Sequence, residues 1–139
     1  MTIEREPAPG LPERPAPALV AIIEDNADIA GLYAALIEAR GMRACYLARD
    51  GAEAVEAFRR AEKRPDLILI DHRMPAMSGL AAMKEILAID PAARFVFISA
   101  DEDIRNEAIA AGARAFLRKP ATVKDILDAV KNTLDGAGH

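Results

Sequence analysis

Asp71 ends an apolar run, Leu67–Ile70, and stands just before Met74, Pro75, Ser78 and Gly79, residues that favour a loop. A carboxylate exposed at the end of such a run can itself accept a phosphoryl group. Glu24 and Asp25 end a second apolar run, Leu19–Ile23; Ser99 ends a third, Phe95–Ile98; Lys119 and Pro120 follow a fourth, Ala115–Leu117, with Arg118 between. Three carboxylates brought together repel one another unless a cation stands among them. All-oxygen ligands suit a hard metal, and a few carboxylates plus water suit Mg²⁺ better than a caged Ca²⁺. Lys119 adds an ammonium and Ser99 a hydroxyl. Metal, ammonium and hydroxyl together neutralise a bound phosphoryl group. Taken singly, each residue has a plainer reading. Glu24 and Asp25 suit a helix's first turn, Ser99 a cap, Lys119 the surface and Pro120 a helix start. Their joint placement at the ends of apolar runs carries the chemical reading.

The elements that must position these groups alternate along the chain. The runs Leu19–Ile23, Met42–Leu47, Leu67–Ile70, Phe95–Ile98 and Ala115–Leu117 read as strands buried on both faces of a parallel sheet. Between them, Ile29, Leu32, Tyr33, Leu36 and Ile37 predict one apolar helix face, Val55 and Phe58 a second, and Leu80, Met83, Ile86 and Leu87 a third. Ile104 and Ile109 give a thin fourth, and Val123, Ile126, Leu127, Val130 and Leu134 a fifth. Asp50 with Glu53, and Thr122 with Asp125, resemble capping boxes; Gly41 and Gly112 stand where helices end in a left-handed residue. The resulting βαβαβαβαβα order predicts a parallel sheet with right-handed crossovers and helices on both faces. Ligands of such sheets bind beyond the carboxyl ends of the strands, where the candidate residues fall.

The 139 residues favour one domain. Five of the nine prolines lie in residues 1–17, which read as a solvated tail; residues 18–135 form the expected domain and 136–139 a short C-terminal tail. The net charge of −4, without a Lys/Arg run, argues against direct contact with nucleic acid or an anionic membrane. No apolar run approaches the ~18 residues of a membrane span. The single cysteine, Cys45, cannot form an intrachain disulfide and reads as a buried, inert thiol, consistent with the cytoplasm.

The acidic pair Glu24-Asp25, the run from Asp71 through Met74-Pro75 to Ser78-Gly79, the small pair Ser99-Ala100 and the pair Lys119-Pro120 resemble the signatures of response regulator receiver domains. The resemblance spans roughly residues 18 to 135. It implies a flavodoxin-like α/β fold, a doubly wound five-stranded sheet of order 2-1-3-4-5 with five helices. Carried over position by position, Asp71 is the phosphoacceptor, and Glu24, Asp25, Asp71 and the Arg73 main-chain carbonyl hold Mg²⁺. Ser99 and Lys119 bind the phosphoryl group, Phe116 takes the aromatic switch position, and Arg73 and Asp101 flank the approach of hydrolytic water. A cis peptide precedes Pro120. Three positions depart from the commoner pattern: Glu24 in place of Asp, Ser99 in place of Thr, and Phe116 in place of Tyr.

The expected function is a phosphorylation switch served by a histidine kinase or a histidine phosphotransfer protein. It would catalyse only its own phosphorylation and dephosphorylation, and act on an output protein or domain through its fourth helix, fifth strand and fifth helix. A Mg²⁺-dependent phosphohydrolase of the haloacid-dehalogenase type needs a second acid two residues after the nucleophile, where Arg73 stands. A nucleotide- or flavin-binding module needs a glycine-rich phosphate loop, and no G-x-G-x-x-G or Walker A pattern occurs.

Overall fold

A computed structural model describes residues 16–72 and 77–136. The elements run β1 (Leu19–Ile23), α1 (Ala27–Ala39), β2 (Arg43–Ala48), α2 (Gly51–Arg60), β3 (Leu67–Asp71), α3 (Gly79–Ile89), β4 (Phe95–Ser99), α4 (Arg105–Ala111), β5 (Ala115–Arg118) and α5 (Val123–Leu134). A 3₁₀ turn, Glu102–Ile104, leads into α4. All strand pairs are parallel, in the order β2-β1-β3-β4-β5. Most of the expected 1–17 tail, residues 137–139 and the loop residues Arg73, Met74, Pro75 and Ala76 lie outside the described residues.

Side chains alternate across each strand, and the two resulting sets pack against different helices. Ala21, Ile23, Ile68, Ile70, Phe95 and Phe97 join Val55 and Phe58 of α2, and Leu80, Met83 and Ile86 of α3. Val20, Ile22, Leu67, Leu69, Val96 and Ile98 join Ala30 and Ile37 of α1, and Ile126 and Val130 of α5. The expectation of strands buried on both faces holds for β1, β3 and β4. The edge strand β2 is only half buried, apart from Ala48, and β5 buries Phe116 alone. Its edge position leaves Leu47 exposed and the Cys45 thiol half-buried rather than enclosed.

Two helix faces differ from expectation. In α1 the buried residues are Ala30 and Ile37, while Leu32 is 55% exposed. In α5, Val123 is exposed and Thr133 is buried in its stead. The thin fourth helix is thinner still: α4 buries only Ala108, and Ile109 is 45% exposed.

The caps follow the sequence closely. Thr122 and Asp125 make the reciprocal capping box. Asp50 accepts from the Glu53 N–H, a one-sided cap. Two caps had not been foreseen: Asn26 begins α1 and Ser78 begins α3. Gly41 and Gly112 have φ of 81° and 122°, as expected at helix ends. Among the described residues, no helix is long and apolar enough to cross a membrane.

Candidate functional site

Strand register places the chemical groups at one rim. Ile23 pairs with Ile70, so Glu24 and Asp71 each stand one residue beyond a paired position. Asp71 pairs with Ile98 and Ser99 with Arg118, and the Lys119 N–H donates to the Ser99 carbonyl at 3.0 Å. Period-2 alternation then sorts the side chains. Glu24, Asp71 and Lys119 share the parity of Ile22, Leu69 and Leu117, which face α1 and α5. Ser99 shares the parity of Phe97 and His72 that of Ile70, and these with Phe116 face α2, α3 and α4.

On the α1/α5 side, carboxylate oxygens of Glu24, Asp25 and Asp71 all lie within 4.8 Å of one another. Glu24 is 2% exposed and Asp71 7%, whereas Asp25 is open to solvent. Lys119 Nζ donates to Asp71 Oδ2 at 3.0 Å and lies 3.6 Å from Glu24 Oε1. The other Glu24 oxygen, Oε2, accepts from the Asn26 N–H at 3.1 Å. Asn26 Oδ1 in turn accepts from the Asp28 and Ile29 N–H groups, so the cap of α1 also fixes the carboxylate.

Burial pushes the Glu24 carboxyl up to about 7; the adjoining Asp25 side chain and the charge of Asp71 add to the rise, against the Asn26 N–H and Lys119. Burial also opposes the charge on Lys119, but the Asp71 hydrogen bond and the charges of Asp71 and Glu24 outweigh it and hold the ammonium above its usual value. Tyr33 of α1 lies in the same field, its phenol held up by burial. Tyr33 was legible only as a core residue of α1; its nearness to the site follows from the packing of α1 over the strand ends.

The residues fit a divalent cation. Glu24 Oε1 is buried and has no hydrogen-bond partner among the described residues. With all three carboxylates ionised, they outnumber the one ammonium that meets them among the described residues. All donors are oxygens, which suits Mg²⁺.

On the opposite face Ser99 is fully buried, and its Oγ accepts the Asp101 N–H at 3.0 Å. Asp101 Oδ1 accepts from the Asp103 N–H and so caps the 3₁₀ turn before α4. The His72 ring lies 6.0 Å from that of Phe97, which stacks on Phe116 at 5.9 Å and 11°. The Lys119–Pro120 peptide is cis. The Arg73 carbonyl and side chain, expected at the metal and at the water entry, lie outside the described residues.

Residues 20–131 match the family model described as the response regulator receiver domain. The chain belongs to this family. It is 35% identical over 118 residues to the chemotaxis protein CheY of Bacillus subtilis, covering 84% of this chain and 97% of that protein. It is also 35% identical over 113 residues to CheY of Thermotoga maritima, covering 80% and 92%. Among solved structures, the CheX–CheY–BeF3–Mg²⁺ complex from Borrelia burgdorferi matches with a TM-score of 0.80 at 27% identity, covering 84% of this chain and 89% of that one. The receiver domain reading and the 2-1-3-4-5 sheet are thus both established for this chain.

The raised Glu24 value sets a pH dependence. The folded state holds this proton up to about pH 7, while the unfolded chain releases it near 4.5. The folded state therefore binds more protons across that interval, and this group makes stability fall as pH rises through it. Glu24→Gln has no charge to bury. In metal-free buffer its melting temperature should exceed that of the wild type by more above pH 7 than near pH 4.5. Thermal melts across pH check this; a gain that does not grow with pH contradicts it.

Proposed function

We propose that Asp71 accepts a phosphoryl group from a phosphohistidine of a histidine kinase or histidine phosphotransfer protein, in the cytoplasm, with Mg²⁺ at the acidic cluster. The observation that carries this is the Lys119 ammonium, 3.0 Å from Asp71 Oδ2, inside a cluster of three carboxylates. The Asp71 carboxylate attacks phosphorus; an O–P bond forms as the donor's N–P bond breaks, and the leaving imidazole nitrogen takes up a proton. Mg²⁺ held by Glu24, Asp25 and Asp71, with the Arg73 carbonyl as a further ligand, would neutralise charge on the transferring group. Lys119 keeps its proton throughout and stays beside the acceptor as its charge is redistributed. Glu24 is held in place by the Asn26 N–H, so the site is preorganised before the donor arrives. The reaction is one the domain performs on itself, without turnover of a diffusing substrate.

The output surface is proposed to be α4, β5 and α5. Ser99 Oγ accepts from Asp101 and still has its own proton to donate to a phosphoryl oxygen. That charge-assisted bond is worth roughly 1.5–3 kcal/mol, and it can shift an equilibrium only to that extent. Movement of Ser99 acts on the Asp101 cap and through it on α4, which buries a single alanine and so resists little. Phe116, stacked on Phe97, lies where it would answer a change at Ser99. A groove along α4, β5 and α5, with Ile109, Ala113, Phe116 and Ala129 in its lining and Arg105 and Asp128 beside them, offers a partner an apolar floor with charge of both signs.

Incubation with acetyl phosphate and Mg²⁺ should add one phosphoryl group to the intact mass, and Asp71→Asn should abolish the gain. Undiminished labelling of the variant places the acceptor elsewhere.

A beryllofluoride mimic with Mg²⁺ should alter amide hydrogen exchange between residues 99 and 120. Ser99→Ala should bind the mimic with much less of that change. Differences concentrated in α1 instead would refute the output surface.

A further inference from the structure

Gly51 and Gly79 are the first residues of α2 and α3. Neither has a positive φ, so alanine, the better helix former, suits the backbone at both positions. Close approach is what excludes it. A Cβ on Gly79 would collide with the Asp71 carbonyl and stand 2.9 Å from His72 Cα. A Cβ on Gly51 would stand 2.5 Å from the Met77 carbonyl oxygen and 2.8 Å from Met77 Cβ and Cγ. The same two residues donate hydrogen bonds into the chain they touch: the Gly79 N–H to the His72 carbonyl at 3.0 Å, and the Gly51 N–H to the Met77 carbonyl at 3.1 Å. The segment leaving Asp71 is therefore gripped at its start by α3 and at its return by α2. The α3 contact follows from sequence proximity. The α2 contact does not: Gly51 is remote in sequence from Met77, and α2 lends no side chain to the acidic cluster.

We propose that Gly51 is a positioning residue for phosphoryl transfer: the missing side chain lets α2 seat against Met77 and fixes the far end of the acceptor loop. The inference rests on the assignment of Asp71 as acceptor. A displacement of about 1 Å at a reacting group can cost ~10²-fold in rate. Gly51→Ala, which must push the Met77 carbonyl aside, should therefore slow labelling by about tenfold or more, even at saturating Mg²⁺.

Gly31 supplies the control, because it lies inside α1 and a Cβ there meets nothing within 4 Å. Labelling rates with acetyl phosphate are compared for wild type, Gly31→Ala, Gly51→Ala, Met77→Gly and the Gly51→Ala/Met77→Gly pair, with thermal melts alongside. Gly31→Ala should label as fast as the wild type. Gly51→Ala should be slow while still unfolding cooperatively. In the Met77→Gly background the Cβ and Cγ contacts are gone while the carbonyl oxygen, the nearest atom, remains, so the alanine should cost less rate than it does in the wild type. An alanine cost that is the same in both backgrounds, or absent from both, overturns the inference. So does a double variant that fails to fold, since Gly51 would then serve stability alone; a double variant that folds where the single one does not supports the clamp if it labels at the Met77→Gly rate and refutes it if it labels far more slowly. A wild-type chain that takes up no phosphoryl group overturns the Asp71 assignment, and this inference with it; normal wild-type labelling beside a fast Gly51→Ala overturns this inference alone.

Discussion

Three carboxylates and one ammonium crowd the carboxyl ends of β1, β3 and β5, and their charges do not cancel. Water would screen such a group at the surface, but Glu24 and Asp71 are buried. The fold answers in part with Lys119, which lies between the two buried acids, and in part by keeping a proton on Glu24 up to about pH 7. Neither device removes the repulsion. A divalent cation would, and its charge together with that of Lys119 would meet the charge of a phosphoryl group. The metal-free fold is thus held in a state whose local electrostatics favour the next ligand.

The alternation of strand side chains divides the site into two halves. Glu24, Asp71 and Lys119 share the face toward α1 and α5 by strand parity. Ser99, the His72 ring and the stacked rings of Phe97 and Phe116 share the face toward α2, α3 and α4. A phosphoryl group on Asp71 would be the first group able to touch both halves at the rim. The second of these faces carries the least buried helix among the described residues, with Ala108 the one enclosed residue of α4. Packing is thin at α4 and complete along β3, whose five residues are all buried.

Much of this was legible in the sequence because each signal was local. Unbroken apolar runs marked β1, β3 and β4, and the residue after each run was the chemical one. Thr122 with Asp125, and Gly41 with Gly112, marked helix boundaries that the structure reproduces. What escaped was set by packing between elements distant in the chain. The exposure of Leu32 depends on which face α1 turns to the sheet, with Ala30 and Ile37 inward. The half-burial of Cys45 depends on β2 being an edge strand. The approach of Gly51 to Met77 joins two loops that no spacing rule connects. Asn26 was within reach of sequence reasoning, since it precedes the first helix at cap spacing, but its grip on Glu24 comes from the backbone.

The clustered carboxylates of Glu24, Asp25 and Asp71 carry an excess of negative charge that a divalent cation would offset. Melting temperature measured against Mg²⁺ concentration tests this most directly, because a ligand of the folded state alone raises stability with its concentration. The wild type should start low and climb with Mg²⁺. A Glu24→Gln/Asp25→Asn variant should start higher and lose most of the climb. A wild type indifferent to Mg²⁺, or a variant that climbs as steeply, would contradict the account.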